Sequence, residues 1–386
     1  MKRISLFLLL FLLLKATVMY SQDGHPETNF RIVPVSPNAA SLGTFGMIPT
    51  DNYVGQANLT IPIYEIDLDG KKFPIALSYH TDGTRVAQEA TWIGLGWTLQ
   101  AGGCVVRQVQ GTDDFAARGC YNLTDAPWLT NPRFEVTDQN LEKYMGYFKG
   151  DYDAEPDMFY LNAGGHSGSM YFDVLKNNRQ LNAVPTIQTQ EKVVKMVYNT
   201  SNKTWTMTDL EGYVYSFSTK EITYYFLNTI DFFQTDITRS HIFPYYNEPQ
   251  IVTAWMLDSV TSPNSGKITF SYKKESIFTP ISTTEDVISL SKIVNGQLSS
   301  QSPQYFTNKF NYNYSYSKIE QWTLSAITFE GGKVEFGTTD REDIESAETG
   351  KKVQKLSSIK VSDTAGNLIK TTMLEYKYLL SGMAAT

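Results

Sequence analysis

Residues Leu59–His80 read LTIPIYEIDLDGKKFPIALSYH, and this stretch decides the fold class. Leu59, Ile61 and Ile63 alternate before Asp69-Gly70; Phe73, Ile75, Leu77 and Tyr79 alternate after it. A period of two belongs to a strand with one buried face, and Asp-Gly supplies the positive-φ pair of a tight hairpin turn. Pro62 and Pro74 cannot donate to a ladder, so each is expected where its strand has an open side.

The same pattern recurs downstream. Cys104 to Val109 reads as a strand, and Pro156 to Val174 as strand, wide turn around Gly164, Gly165 and Gly168, strand. Lys192 to Tyr198, Lys203 to Thr208 and Tyr213 to Ser218 follow, the last two flanking the turn Asp209-Leu210-Glu211-Gly212. WMLDSVTSPNSGKITFSY from Trp255 and WTLSAITFEGGKVEFGTT from Trp322 share one design, with a Gly-Lys turn leading into an alternating strand. KLSSIKVSDTAGNLIKTTMLEYKY from Lys355 makes a third pass without the Trp. An aromatic content of 13% also favours strands. The expected fold is all-β, with antiparallel hairpins forming stacked or wound sheets. Irregular aromatic-rich insertions are expected near 116–155 and 220–250, with a short helix from Leu141 to Met145.

Thr91–Gly103, TWIGLGWTLQAGG, mixes Trp92 and Trp97 with Gly94, Gly96, Gly102 and Gly103 and carries no charge. Glycine weakens a strand unless backbone, ring or ligand must come close. The stretch is therefore a buried crossover or a tryptophan-lined groove. Its place between the Asp69-Gly70 hairpin and the Cys104 strand favours a joint turning one sheet onto the next. Gly94 and Gly96 would pass the backbone beneath Trp92 or Trp97, and Gly102-Gly103 would release it into the next strand. Trp97 is expected to be largely buried.

Lys2 and Arg3 precede an apolar run from Ile4 to Leu14. The run is shorter than the ~20 residues of a spanning helix and fits a signal peptide over 1–21, cut near Ser21–Gln22. The expected divisions are then an extended lead-in over 22–52, a β module with the joint over 53–180, and a hairpin region over 181–386. The mature chain is expected to be secreted or held at the cell surface, without a membrane span. The 386 residues carry 33 Lys+Arg against 40 Asp+Glu, a net charge of −7 without a basic stripe, which argues against nucleic acid. Cys104 and Cys120 either close a loop of about 15 residues or stay as two thiols.

Candidate chemistry is sparse. The four histidines, His25, His80, His166 and His241, lack a second His or Cys at metal spacing, so no metal or cofactor is expected. Asp151, Asp153, Glu155 and Asp157 alternate, as calcium ligands or as a solvated acidic turn. Asp113-Asp114, read as neighbours on a strand, point to opposite faces and do not suit glycoside hydrolysis. Gly165-His166-Ser167-Gly168 lacks the spacing and the following helix of a nucleophile elbow. No catalytic residue is assigned. Trp92, Trp97, Trp128, Trp205, Trp255 and Trp322 would bind glycans if they formed an open row, and would anchor hairpins if buried.

The blocks IPIYEI, FPIALSYHTDGTRVAQEATWIGLGWTLQAGGCVVRQVQGTDD, PDMFYLNAGGHSGSMYFD, WTMTDLEGYVYSFST and AWMLDSVTSPNSGKITFSY, with the Arg341-Glu342-Asp343 segment, closely resemble the N-terminal region of Bacteroidetes RHS/YD-repeat proteins. The similarity runs from about Ser36 to the end, and the order of blocks is that of the family. The resemblance implies a long exported protein in which this region precedes YD repeats wound into a β-sheet shell and a variable C-terminal effector, often a toxin. The YD repeats, the self-cleavage aspartates and the effector are absent from these residues, so no catalytic residue carries over. The implied role is a non-enzymatic opening module of a shell or surface scaffold, its partner an effector or further shell in the same polypeptide. The alternative is an adhesin or glycan-binding module recognising a surface glycan.

Overall fold

The computed structural model describes residues 34–40, 42, 58–80, 88–111, 113–117, 119–122, 155–173, 182–188, 194–233, 241–244, 250–279, 282–290, 293–294, 297–298 and 307–378, with 137, 141 and 153 as single residues. The signal-peptide segment, Trp128, Asp151, His25 and the expected helix after Leu141 lie outside them.

The chain is all-β and built of antiparallel hairpins. Strands β1 (Asn58–Leu68), β2 (Lys71–His80) and β3 (Trp97–Gln100) form a three-stranded sheet in that order. A second sheet begins with β4 (Gly103–Gln108), β5 (Met158–Ala163), β6 (His166–Tyr171), β7 (Asn182–Ala183), β8 (Thr186–Ile187), β9 (Val194–Asn199) and β10 (Thr204–Asp209). It continues through β11 (Val214–Phe233), β12 (His241–Pro244), β13 (Gln250–Thr261), β14 (Lys267–Phe278) and β15 (Ser282–Leu290). A separate ribbon pairs β16 (Ile293–Val294) with β17 (Gln297–Leu298). β18 (Thr307–Phe329), β19 (Gly332–Asp340), β20 (Gln354–Ser362) and β21 (Leu368–Met373) complete the large sheet, which has 16 strands.

The first hairpin turns through Asp69 (φ 50°) and Gly70 (φ 92°), with Leu68 opposite Lys71. That is the two-residue turn its sequence calls for. Pro62 lies on the edge strand β1, and Pro74 lies beyond the reach of β3, which pairs with β2 only from Ala76 to Tyr79. The alternation of Leu59, Ile61 and Ile63 does not hold. A bulge between Pro62 and Tyr64 reverses the phase, so Ile63, Ile66 and Leu68 are buried while Leu59 and Ile61 are exposed. The buried face of this hairpin packs on the large sheet in one core that includes Phe73, Phe159, Trp205, Trp255 and Phe270.

Two expectations are corrected. Much of the region read as irregular over 220–250 is strand, because β11 runs through to Phe233 and β12 pairs back on it. Its ITYYFLNTIDFF composition is β-branched and aromatic without alternation, so propensity rather than period marked it. Within the supposed extended lead-in, residues 37–40 and 42 are helical, and Ser36, Asn38 and Ala39 are buried. Ser36 before Pro37 is a helix N-cap with proline in the first turn: the Ser36 hydroxyl accepts from Ala39 N at 3.1 Å.

Four long strands close a circuit. β11 pairs with β13 over Val214–Tyr224 and with β18 over Ile222–Phe233; β18 pairs with β14, and β14 with β13. A sheet this wide must curl, and here it curls onto itself where β11 changes partners. The hairpins that begin at Trp255 and Trp322 are neighbours in this sheet through β14 and β18, and β18–β19–β20–β21 extends the same pattern.

Candidate functional site

The joint is built on Thr91. Its hydroxyl donates to Gly94 O (3.0 Å) or Trp97 O (2.8 Å) and accepts from Ile93 N (3.2 Å), which folds 91–97 into a tight double turn. Gly94 (φ 131°) and Gly96 (φ 75°) occupy backbone space that other residues rarely adopt. Gly102 (φ 91°) lies against the Phe270 ring, and a side chain at Gly103 would meet Ala163 and the Asn162 carbonyl at 2.5 Å. Gly103 therefore lets β4 press against β5 at the start of the large sheet.

Trp92, not Trp97, is the buried ring. Trp92 is 6% exposed and packs near Phe336, with centroids 6.4 Å apart. Trp97 is half-buried and lies on Tyr79, its partner across the β2–β3 ladder, at 5.2 Å. The expected burial of Trp97 fails because β3 is an edge strand, so part of the ring faces outward. The Trp92 backbone is tied on both sides: its N–H donates to Asn38 Oδ1 (2.9 Å), and its carbonyl accepts from Leu356 N (2.8 Å).

Arg341 fastens the joint to the last hairpins. It is 4% exposed, donates to Ala90 O at 3.0 Å, and grips Asp343 through Nε (2.8 Å) and Nη2 (2.7 Å). That guanidinium holds the Asp343 carboxyl below its ordinary range. Beside it opens a cleft of about 340 Å³ lined by Glu89, Trp92, Arg341, Lys355, Tyr376 and Tyr378. Burial raises Glu89 there.

Two further polar centres are buried, and sequence reasoning missed both. In the first, Arg107 (2% exposed) donates to Asp157 through Nε at 2.8 Å and through Nη2, and to Asp113 at 2.5 Å. Asp157 also accepts from Gln110 N (2.7 Å) and Asp114 N (3.2 Å), and its own N–H donates to Asp114 Oδ2 (3.0 Å). Asp114 is fully buried, and burial together with the Asp157 charge pushes its pKa up to about 9. Its Oδ1 has no hydrogen-bond partner, which suits an acid that keeps its proton. Asp113 and Asp114 converge here, against expectation, because they sit in a turn rather than on a strand. The acidic run divides: Asp153 and Asp157 are buried and Glu155 is exposed, with Arg107 supplying the positive charge at Asp157. Among the described residues no group of three or more His, Cys, Asp or Glu is arranged to hold a metal ion.

The second centre is Glu221 on β11, fully buried. It accepts from Ser36 N (2.8 Å), the Ser36 hydroxyl and Thr253 Oγ1 (3.1 Å). Burial raises its carboxyl above the ordinary range against the pull of those donors. The sequence signals for this second centre are a Ser-Pro-Asn cap and a Glu within a β-branched and aromatic run.

No nucleophile and base come together around Ser167. It follows His166 on β6, and adjacent strand residues face opposite ways. His166 Nε2 lies 3.7 Å from Asp209 Oδ2, which is already held by Lys71 at 2.5 Å. Cys104 and Cys120 are buried free thiols, so the disulfide alternative does not hold. Trp205 and Trp255 are buried core anchors; Trp322 is half-buried, its Nε1 donating to Lys220 O at 2.7 Å. None of the five described tryptophans is exposed. Among the described residues no helix is long and apolar enough to cross a membrane.

No protein-family model and no curated protein matches the chain. Among solved structures it is similar to TcdB2-TccC3, at 9% identity and a TM-score of 0.38, over 89% of this chain and 15% of that one. It is also similar to the Photorhabdus luminescens Tc holotoxin pore, at 10% identity and a TM-score of 0.33, over 89% and 14%. The N-terminal domain of effector protein SpvB from Salmonella typhimurium strain LT2 follows, at 10% identity and a TM-score of 0.31, over 83% and 99%. The chain thus spans under a sixth of the length of the two Tc chains.

Proposed function

We propose that this chain is a non-enzymatic, exported structural module of the RHS/YD-repeat group, forming the opening part of a β-shell or surface scaffold that carries or encloses a C-terminal effector. The observation that supports it most is the way the ordered sequence blocks interlock. The TWIGLGW block and the Arg341-Glu342-Asp343 segment lie about 250 residues apart, yet Arg341 caps Ala90 O, and Leu356 N caps Trp92 O. Blocks that are unremarkable alone form one buried joint between the first sheet and the last hairpins. A scaffold needs such closure; a catalytic site would need convergent reactive groups instead.

The test is to tag the gene at its own locus and recover the product from medium, cell surface and cell interior. Mass spectrometry then defines its C-terminus. An exported product that continues past Thr386 into further repeats and a distinct terminal domain is expected. A product that ends at Thr386 and binds immobilised glycans overturns the reading.

A further inference from the structure

Where β11 leaves β13 for β18, the closed circuit of strands buries several polar residues beside Ile277 and Ile319. Glu221, Thr223, Thr253, Ser276, Ser317, Gln321 and Thr323 are all buried, none above 4% exposed. Hydroxyls and carboxylates taken out of water need partners, and several of these partners come from residues 34–42. Ser36 gives Glu221 two of its three donors. Asn38 bridges two elements, donating to Gln321 Oε1 (3.3 Å) and accepting from Trp92 N (2.9 Å). Pro34 O accepts from Thr223 Oγ1 (2.9 Å), and Leu42 O accepts from Asn162 Nδ2 (2.8 Å). Ala39 is fully buried in a small cluster with Cys104, Val106, Ala254 and Met256, against which Val35 and Leu42 also pack.

We propose that this notch is a receptor for a Ser-Pro-Asn turn, filled in cis by the segment at 34–42, which a second copy of the chain can supply in trans. The notch reads chemistry, not chain connectivity. Its contacts to the segment join residues 54 to 283 positions apart. The occupant must offer an amide N–H and a hydroxyl on one residue to Glu221, then a carboxamide two residues later that both donates and accepts. An empty notch would leave the Glu221 carboxylate buried with Thr253 as its remaining donor, so an occupant is strongly favoured. The chain carries that occupant itself, and exchange of an identical segment between copies needs no new surface.

The experiment begins with the full folded chain, given a specific protease site between Gly46 and Met47 and cut after folding. The released N-terminal piece should stay with the body on gel filtration. A fluorescent synthetic peptide of residues 31–46, added in excess, should then replace it. Peptides with Ser36→Ala or Asn38→Ala should bind at least about tenfold more weakly, because the donors they lose serve buried partners. The body is unaltered in every arm, so misfolding cannot imitate the result. Uncut chains carrying two different tags, mixed at high concentration, should give mixed dimers that excess wild-type peptide dissolves. Immediate loss of the cut piece with no peptide uptake, or equal binding of the Ser36→Ala peptide, overturns the receptor. Mixed dimers that are absent, or that persist in excess peptide, overturn exchange in trans.

Discussion

Asp157 and Glu221 are both fully buried carboxylates that hold irregular segments against the large sheet, and they do so by opposite means. Asp157 faces a guanidinium and main-chain amides. Glu221 faces hydroxyls and one amide, and no described Lys or Arg pairs with it. The Asp157 centre ties together residues about 50 positions apart, whereas Ser36 lies 185 positions from Glu221. The difference teaches what each centre is built for. A buried ion pair is costly to break because the survivor is left charged. A carboxylate held by neutral donors can take up a proton and keep its place, so it acts as a latch where the other acts as a lock.

Breaking the lock should have the largest effect. Arg107→Ala strands Asp157 and Asp113 and should cost about 3–5 kcal/mol in denaturant unfolding. By contrast Glu221→Gln removes the charge and turns one of the two acceptor oxygens into a donor, which the Ser36 hydroxyl can meet by accepting, and should cost about 1 kcal/mol. Equal losses in the two variants would erase the distinction between lock and latch. Trp92→Ala should cost about 3 kcal/mol, as for a large core ring, and Trp97→Ala about 1–2 kcal/mol because that ring is half in water. A reversed order would return the joint to the groove reading. Ser36→Ala should cost about 1–2 kcal/mol, for a helix cap and one hydroxyl donor to Glu221 lost together.

The pH dependence should be the most diagnostic. Asp114 has a raised carboxyl in the folded state, so the folded chain binds its proton more tightly than the unfolded chain. Its contribution is fully present below the ordinary carboxylate range and is lost as pH rises toward about 9. Melting temperature should therefore fall from neutral pH to pH ~9–10, and Asp114→Asn should flatten that slope. Burial shifts Glu221 in the same direction, so Glu221→Gln should also reduce the loss of stability as pH rises above the ordinary carboxylate range. An unchanged slope in both variants would show that neither acid holds its proton in the fold.

Much of the architecture was legible in the chain. The Asp69-Gly70 turn, the glycines of the joint and the hairpins at Trp255 and Trp322 are local signals, and local sterics suffice to read them. The phase of β1 was not legible. One bulge beside Pro62 moved Leu59 and Ile61 to solvent, and a bulge is decided by how the ladder meets its neighbours. The strand over 220–233 was hidden because its side chains do not alternate. Asp113 and Asp114 were misplaced because a turn was taken for a strand, which reverses where adjacent side chains point.

The sequence by itself determined an all-β chain of hairpins and the glycine positions of its joint, because turn geometry and strand period depend on residues close in the chain. It did not determine which tryptophan is buried, which cation answers Asp157, or that Ser36 reaches Glu221. Those are decided by where the sheet curls and which strands β11 meets. Burial and pairing between residues nearly two hundred positions apart exist only once that closure has formed.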